Sequence, residues 1–238
     1  MTTSLQPRMD LLPGASRRLW PELRAVADLG FVLYGGTAVA LRLGHRDSVD
    51  FDFFSEKPLE RDVLMTALPF MGRAVTLQDQ RDTWTALVPC GDSVREHVKF
   101  SFFGGLGFGR VGDPDWTDDG VLRIASLDDL MATKLKVMLH LAEAKDYRDV
   151  AALIRAGVSL ARGLAAARLL YGPGFPPSES LKSLVFFHDG DLATLPETDR
   201  RVLIEAVSSV RDLPVVTRRS TTLGPGPRQR STRAGCAK

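Results

Sequence analysis

Cysteine is nearly absent. The 238-residue chain holds two, Cys90 and Cys236, far apart and without CxxC spacing. That argues against a disulfide framework or a cysteine-based zinc site and points to a reducing, cytoplasmic setting. Long apolar runs are missing too. None approaches the ~18 residues of a membrane span, and the opening stretch MTTSLQPRMDLLPGASRRLW has no continuous apolar core of the signal-peptide kind. No repeat recurs at solenoid periods. Nor does charge of one sign dominate: 31 Lys and Arg stand against 29 Asp and Glu. Six of the cations (Arg218, Arg219, Arg228, Arg230, Arg233 and Lys238) fall after Leu213 with no acid among them. The body therefore keeps 25 basic against 29 acidic residues, about −4. A body of that sign is not a strongly basic nucleic-acid clamp.

What is present suits a globular protein. The chain is 44% apolar and 25% charged, ordinary values. Its length allows one large domain or two small ones, with enough core to need no staple.

The patterning predicts an α+β fold. PELRAVADLGF reads as a helix and FVLYGG as a short strand. TAVALRLG is a helix closed by Gly44, and SVDFDFF a strand. PLERDVLMTALPFM reads as a helix opened by Pro58. TWTALVP and REHVKFSFF alternate at period two, as strands do. GGLGFG is a flexible turn and VLRIA a short strand. Ser126 caps a helix, LDDLMATKLKVMLHLAEA, followed by KDYRDVAALIRAG and then by helical patterns only. The expectation is a mixed β-sheet with flanking helices over residues 1–125, a helical domain over 126–213, and a disordered basic tail over 214–238.

One stretch carries chemistry. In SVDFDFF, alternation sends Val49, Phe51 and Phe53 one way and Asp50 and Asp52 the other. Two like charges that close repel, and a divalent cation between them would offset the repulsion. Mg²⁺ prefers a few carboxylates with water and substrate phosphates. One helix earlier, Gly35, Gly36 and Thr37 sit at a strand–helix turn, where backbone N–H groups and a helix N-terminus favour an anion. Arg46 and Ser48 could add a guanidinium and a hydroxyl for phosphate, or Arg46 could simply pair with Asp50 or Asp52. Further on, Lys134, Met138, Leu141, Lys145 and Asp149 step by 4, 3, 4 and 4 and share a face if one helix runs through them. A local Lys145–Asp149 pair is the plainer alternative.

GGTAVALRLGHRDSVDFDFF resembles the first motif of the AbiEii/AbiGii-type nucleotidyltransferase toxins, within the DNA polymerase β-like nucleotidyltransferase superfamily. SLDDLMATKLKVMLHLAEAKDYRDVAALI is similar to the family's second motif, with Lys134, Lys145, Asp146 and Asp149 at the matching positions. The likeness covers roughly Leu19 to Pro214. It implies a nucleotidyltransferase-like fold and transfer of a nucleoside monophosphate from an NTP to a hydroxyl acceptor, tRNA or protein. It implies Mg²⁺ or Mn²⁺ on Asp50 and Asp52, catalytic roles for Asp50, Asp52, Lys134 and Asp146, and nucleotide or phosphate contacts for Gly35, Gly36, Thr37, Arg46, Ser48, Lys145 and Asp149. It further implies a toxin–antitoxin or phage-defence role with a cognate antitoxin, and no membrane.

Two positions depart from the pattern. Most active members of the superfamily carry a third carboxylate on a neighbouring strand. In HVKFSFF, where His97, Lys99 and Ser101 share one face, that position falls on Ser101. Leu141 stands where an arginine is usual, seven residues after Lys134, with His140 adjacent. These departures keep open an alternative: a catalytically impaired nucleotide-binding regulatory protein on the same fold.

Overall fold

The computed structural model describes residues 4–90 and 96–224. Its chain opens with β1 (Ser4–Leu5), α1 (Gly14–Leu19), α2 (Arg24–Asp28), β2 (Val32–Tyr34), α3 (Gly35–Leu43) and β3 (Asp50–Phe54). It continues through α4 (Arg61–Ala67), β4 (Val75–Gln80), β5 (Thr83–Pro89), β6 (His97–Phe103), β7 (Asp115–Thr117) and β8 (Arg123–Ile124). The helices α5 (Leu127–Val137), α6 (Ala144–Arg155), α7 (Leu160–Tyr171), α8 (Pro177–Val185) and α9 (Glu197–Ser209) follow.

The strands form one mixed sheet in the order β1-β7-β8-β2-β3-β6-β5-β4. β3 lies at its centre, antiparallel to β2 and parallel to β6. The α+β expectation holds, with the helical run after Ser126 as anticipated. β4 escaped the sequence reading because all six of its residues are exposed on an edge strand, so no burial alternation marks it. β1 and β7 are too short to show a period.

Alternation gives the sheet its two faces. Phe51 and Phe53 of β3 and Phe100 and Phe102 of β6 are fully buried on one of them. Their rings stack across the strands with centroids 5.3 and 5.4 Å apart. Trp20, Phe31, Phe70 and Trp84 close over the four phenylalanines. Each buried phenylalanine contributes roughly 2–3 kcal/mol of transfer free energy, which pins the strands in one register. Val49, expected with this set, lies before β3 and is half-exposed. The opposite face carries Asp50, Asp52 and Phe54 beside Lys99, Ser101 and Phe103.

Three local expectations need correction. The helix expected from Pro58 begins at Arg61 and stops at Ala67. Leu68 precedes Pro69, whose ring disfavours helical backbone at the residue before it, and a 3-10 turn follows. The first of the two second-motif helices is shorter than expected: α5 ends at Val137 rather than at Ala144, and α6 starts at Ala144, so the single face from Lys134 to Asp149 does not form. The tail expected to be disordered from Pro214 runs back along the body as far as Gly224. Leu223 is fully buried, and the Arg110 guanidinium donates to the Thr222 and Gly224 carbonyls at 2.6 and 3.1 Å. Residues 225–238, the rest of that expectation, lie outside the described residues, as does Cys236. Cys90 is a free, buried thiol. Among the described residues, no single helix is long and apolar enough to cross a membrane.

Candidate active site

β2 passes into α3 with no intervening loop, so the first turn of α3 opens directly beside β3. Tyr34 stands at the N-cap and no side chain caps the helix. The first N–H groups of α3 are thus left for an outside acceptor, at the positive end of the helix dipole. Gly35 has φ +71, and a Cβ there would collide with the Asp52 carboxylate. A Cβ at Gly36 would collide with the Arg46 guanidinium. The glycine pair lets two charged groups approach the backbone.

Below this turn, the Thr37 and Ser48 hydroxyls bond each other at 2.8 Å, and Thr37 also donates to the Asp50 carbonyl. Thr37 is fully buried, so its hydroxyl braces the loop before β3. Ser48 is buried too but contributes to the cavity wall.

Register sets the rest. Asp52 lies directly opposite Ser101, and Asp50 opposite Lys99. Serine therefore stands beside the second aspartate, in the place the sequence assigned to it. The Lys99 ammonium sits 2.7 Å from Asp50 Oδ2, with both side chains about one-third exposed (33% and 31%). Burial raises the Asp52 pKa above the usual carboxylate range. The Lys99 charge works against that rise, Asp50 adds to it, and Lys134 and the Ser101 hydroxyl oppose it.

The second motif converges on Asp149, which is fully buried. Its Oδ1 accepts from His45 Nε2 at 2.7 Å and Arg46 Nε at 2.6 Å. Its Oδ2 accepts from Arg46 Nη2 at 2.9 Å and lies 2.6 Å from Lys134 Nζ. Lys134 also donates to Asp146 Oδ1 at 2.6 Å. Burial works to raise the Asp149 pKa, yet the His45 bond and the Lys134 and Arg46 charges hold it far below the usual carboxylate range. Burial likewise opposes the Lys134 charge, but Asp149 and Asp146 keep its pKa above the ordinary lysine value. Arg46 pairs with Asp149, not with Asp50 or Asp52. The break between α5 and α6 makes this possible, because Lys134 comes from one helix and both its carboxylates from the next.

Lys145 leaves that network. It is half-exposed, bonds Glu143 at 2.8 Å, and has its pKa raised chiefly by that bond. The local Lys145–Asp149 pair does not form.

A cavity of about 430 Å³ joins these groups. Gly35, Gly36, Arg46, Ser48, Asp50, Asp52, Lys134, Lys145 and Asp146 line it. Thr37 and Asp149 lie just behind its wall. The sequence reading did not assign Lys99, Glu143, Phe54 and Phe103, which line it as well. Lys99 had a signal, since it shares the face of Ser101 two residues away. Phe54 and Phe103 are opposite one another in register, with rings 5.2 Å apart at 78°. They give the cavity an apolar end two residues beyond the aspartates. A larger hollow of about 710 Å³, bordered by Ile154, Val158 and Val202, holds none of the residues singled out from the sequence.

Comparison with known proteins identifies the family of the chain. The model of a family described as nucleotidyl transferase AbiEii toxin, type IV toxin–antitoxin system, matches residues 20–218. The chain is 32% identical over 139 residues to an uncharacterized protein of Aquifex aeolicus (strain VF5). That match covers 56% of this chain and 64% of the relative, so the chain spans less than two-thirds of that protein's length. Two solved structures are similar at 16% identity. One is an antigenic nucleotidyltransferase-like protein from Paracoccidioides brasiliensis, with TM-score 0.46, covering 87% of this chain and 96% of that one. The other is the nucleotidyltransferase toxin MenT4 from Mycobacterium tuberculosis H37Rv, with TM-score 0.41, covering 83% and 92%.

Proposed function

Because the chain belongs to the AbiEii nucleotidyl transferase toxin family, we propose that it moves a nucleoside monophosphate from an NTP to a hydroxyl on tRNA or on a protein. The observation that carries this reading is the meeting of the uncapped α3 N-terminus with Asp50 and Asp52 in one cavity. An anion cradle and a carboxylate pair at that spacing suit a triphosphate and a metal.

The donor set fits one ion. Among the described residues, no cluster of three His, Cys, Asp or Glu is placed to hold a metal. Asp50 and Asp52 fit a single Mg²⁺ or Mn²⁺ that completes its shell with phosphate oxygens and water. Such an ion, when bound, would polarise the phosphate. The chain's own residues would do the rest. The α3 N–H groups orient the triphosphate, and Lys99 and Lys145 neutralise its charge. Phe54 and Phe103 offer an apolar seat for the base. The acceptor oxygen attacks the α-phosphorus, pyrophosphate departs, and the acceptor proton passes to Asp146, the second-motif carboxylate on the cavity wall. Lys134, Arg46 and Asp149 hold α6 against α5 and the loop before β3, so that Asp146 faces the triphosphate. The setting is cytoplasmic, consistent with a free Cys90 thiol, and a cognate antitoxin restrains the activity.

A second reading, nucleotide binding with little or no transfer, is favoured by one specific observation: Ser101 stands directly beside Asp52, where a third carboxylate would complete the set. Incubation with each labelled NTP, Mg²⁺ and either total tRNA or cell lysate separates the two. We expect label transfer that disappears in Asp52→Ala. Thermal protection by NTP without any transfer would favour the second reading instead.

A further inference from the structure

Four cations line the cavity, and they are not equally free. Arg46 and Lys134 are committed to Asp149 and Asp146, with side chains only 11% and 8% exposed and an Asp149 side chain wholly buried. Withdrawing either would leave a buried carboxylate short of a partner, a costly state. Lys145 is held by Glu143 at the rim. Lys99 differs from all three: its partner is Asp50, one of the two carboxylates that fit the metal.

We propose that Lys99 is a resident counter-ion that occupies Asp50 in the free protein and transfers to the triphosphate when metal and nucleotide enter together. The proposal rests on the nucleotidyltransferase reading above and adds to it an order of binding. An ammonium 2.7 Å from Asp50 Oδ2 opposes a divalent cation on the same carboxylate by direct repulsion. A metal alone must displace Lys99 and gives it nothing in exchange. A metal carrying a triphosphate supplies new oxygens to the displaced ammonium. Both side chains are part-exposed, so Lys99 can swing without unmaking the core. The outcome is a site that takes metal weakly by itself and readily with nucleotide. Ser101 is part of the same arrangement: with serine beside Asp52, Lys99 stands against two carboxylates rather than three.

The test uses the full chain. Mn²⁺ alone is titrated by electron paramagnetic resonance, and a non-hydrolysable NTP with Mn²⁺ by calorimetry, in wild type, Lys99→Met and Lys99→Arg. Lys99→Gln serves if Lys99→Met does not fold. We expect Lys99→Met to bind Mn²⁺ alone on the order of tenfold tighter and the metal–triphosphate on the order of tenfold weaker. Lys99→Arg should stay near wild type in both. Unchanged Mn²⁺ affinity in Lys99→Met, or equal nucleotide affinity in Lys99→Met and wild type, overturns this proposal alone. No nucleotide binding by the wild-type protein overturns both the proposal and the reading beneath it.

Discussion

Asp149 shows what a single residue contributes here. Its carboxylate is wholly buried and meets His45, Arg46 and Lys134, joining the loop before β3, α5 and α6 at one point. Removing one member of a buried ionic network strands the others, so Asp149→Asn should cost roughly 3–5 kcal/mol in urea unfolding at pH 7. The pH dependence follows from the depressed pKa. On acidification the unfolded chain takes up this proton first. The Asp149 contribution is therefore complete above about pH 4, the ordinary aspartate range, and is lost as the pH falls toward the lower folded value. Wild type and Asp149→Asn should converge in stability only at the acid end of a urea series. Asp52 and Asp129 act in the opposite sense. Burial raises both, so the folded state protonates first and their cost is relieved by acid.

At the scale of elements, α5 is set by its first turn. Ser126 accepts from the Asp129 N–H at 3.1 Å and donates to its carboxylate at 2.6 Å. The Asp129 carboxylate accepts from the Val111 and Gly112 N–H groups at 2.8 and 3.1 Å. One serine thereby fixes the helix start and, through Asp129, the loop before β7. Ser126→Ala should lower stability by about 1 kcal/mol, read from the urea midpoint at unchanged m-value. Lys134 lies two turns further on in α5, so nucleotide affinity should stay near wild type once the protein is folded. The end of α5 has no comparable local cause. MLHLAEA contains neither glycine nor proline, yet the helix breaks there, and the break is what lets Lys134 meet both Asp146 and Asp149.

Across the whole molecule, one buried cluster runs from Leu12 to Leu223 and joins the sheet to the helices. The C-terminal stretch belongs to it. Leu223 is fully buried and its N–H donates to Glu56 at 3.0 Å. Arg110, only 6% exposed, spends its guanidinium on Thr222, Gly224 and Asp113. Leu223→Ala should therefore cost roughly 2–5 kcal/mol, measured by chemical unfolding. A change near zero would mean that this stretch does not hold the body.

Much of the candidate site is legible in the sequence. Period-two alternation separates Phe51 and Phe53 from Asp50 and Asp52, and one glycine-rich turn ahead of them marks the α3 N-terminus. Both are local properties, decided by which way successive side chains point and by what backbone a glycine permits. The tertiary structure decided the partners. Ser101 and Lys99 stand beside Asp52 and Asp50 because β6 pairs parallel with β3 at a register fixed by stacked phenylalanines. The second motif reads as two helices in the sequence, but only their packing brings Lys134 of α5 onto Asp146 and Asp149 of α6. Leu223 is buried where Glu56 and Arg110, each more than a hundred residues away in the chain, hold its stretch against the body. Such pairings depend on contacts between distant segments, whose free energy appears only when the chain closes on itself, and no run of neighbouring residues encodes them.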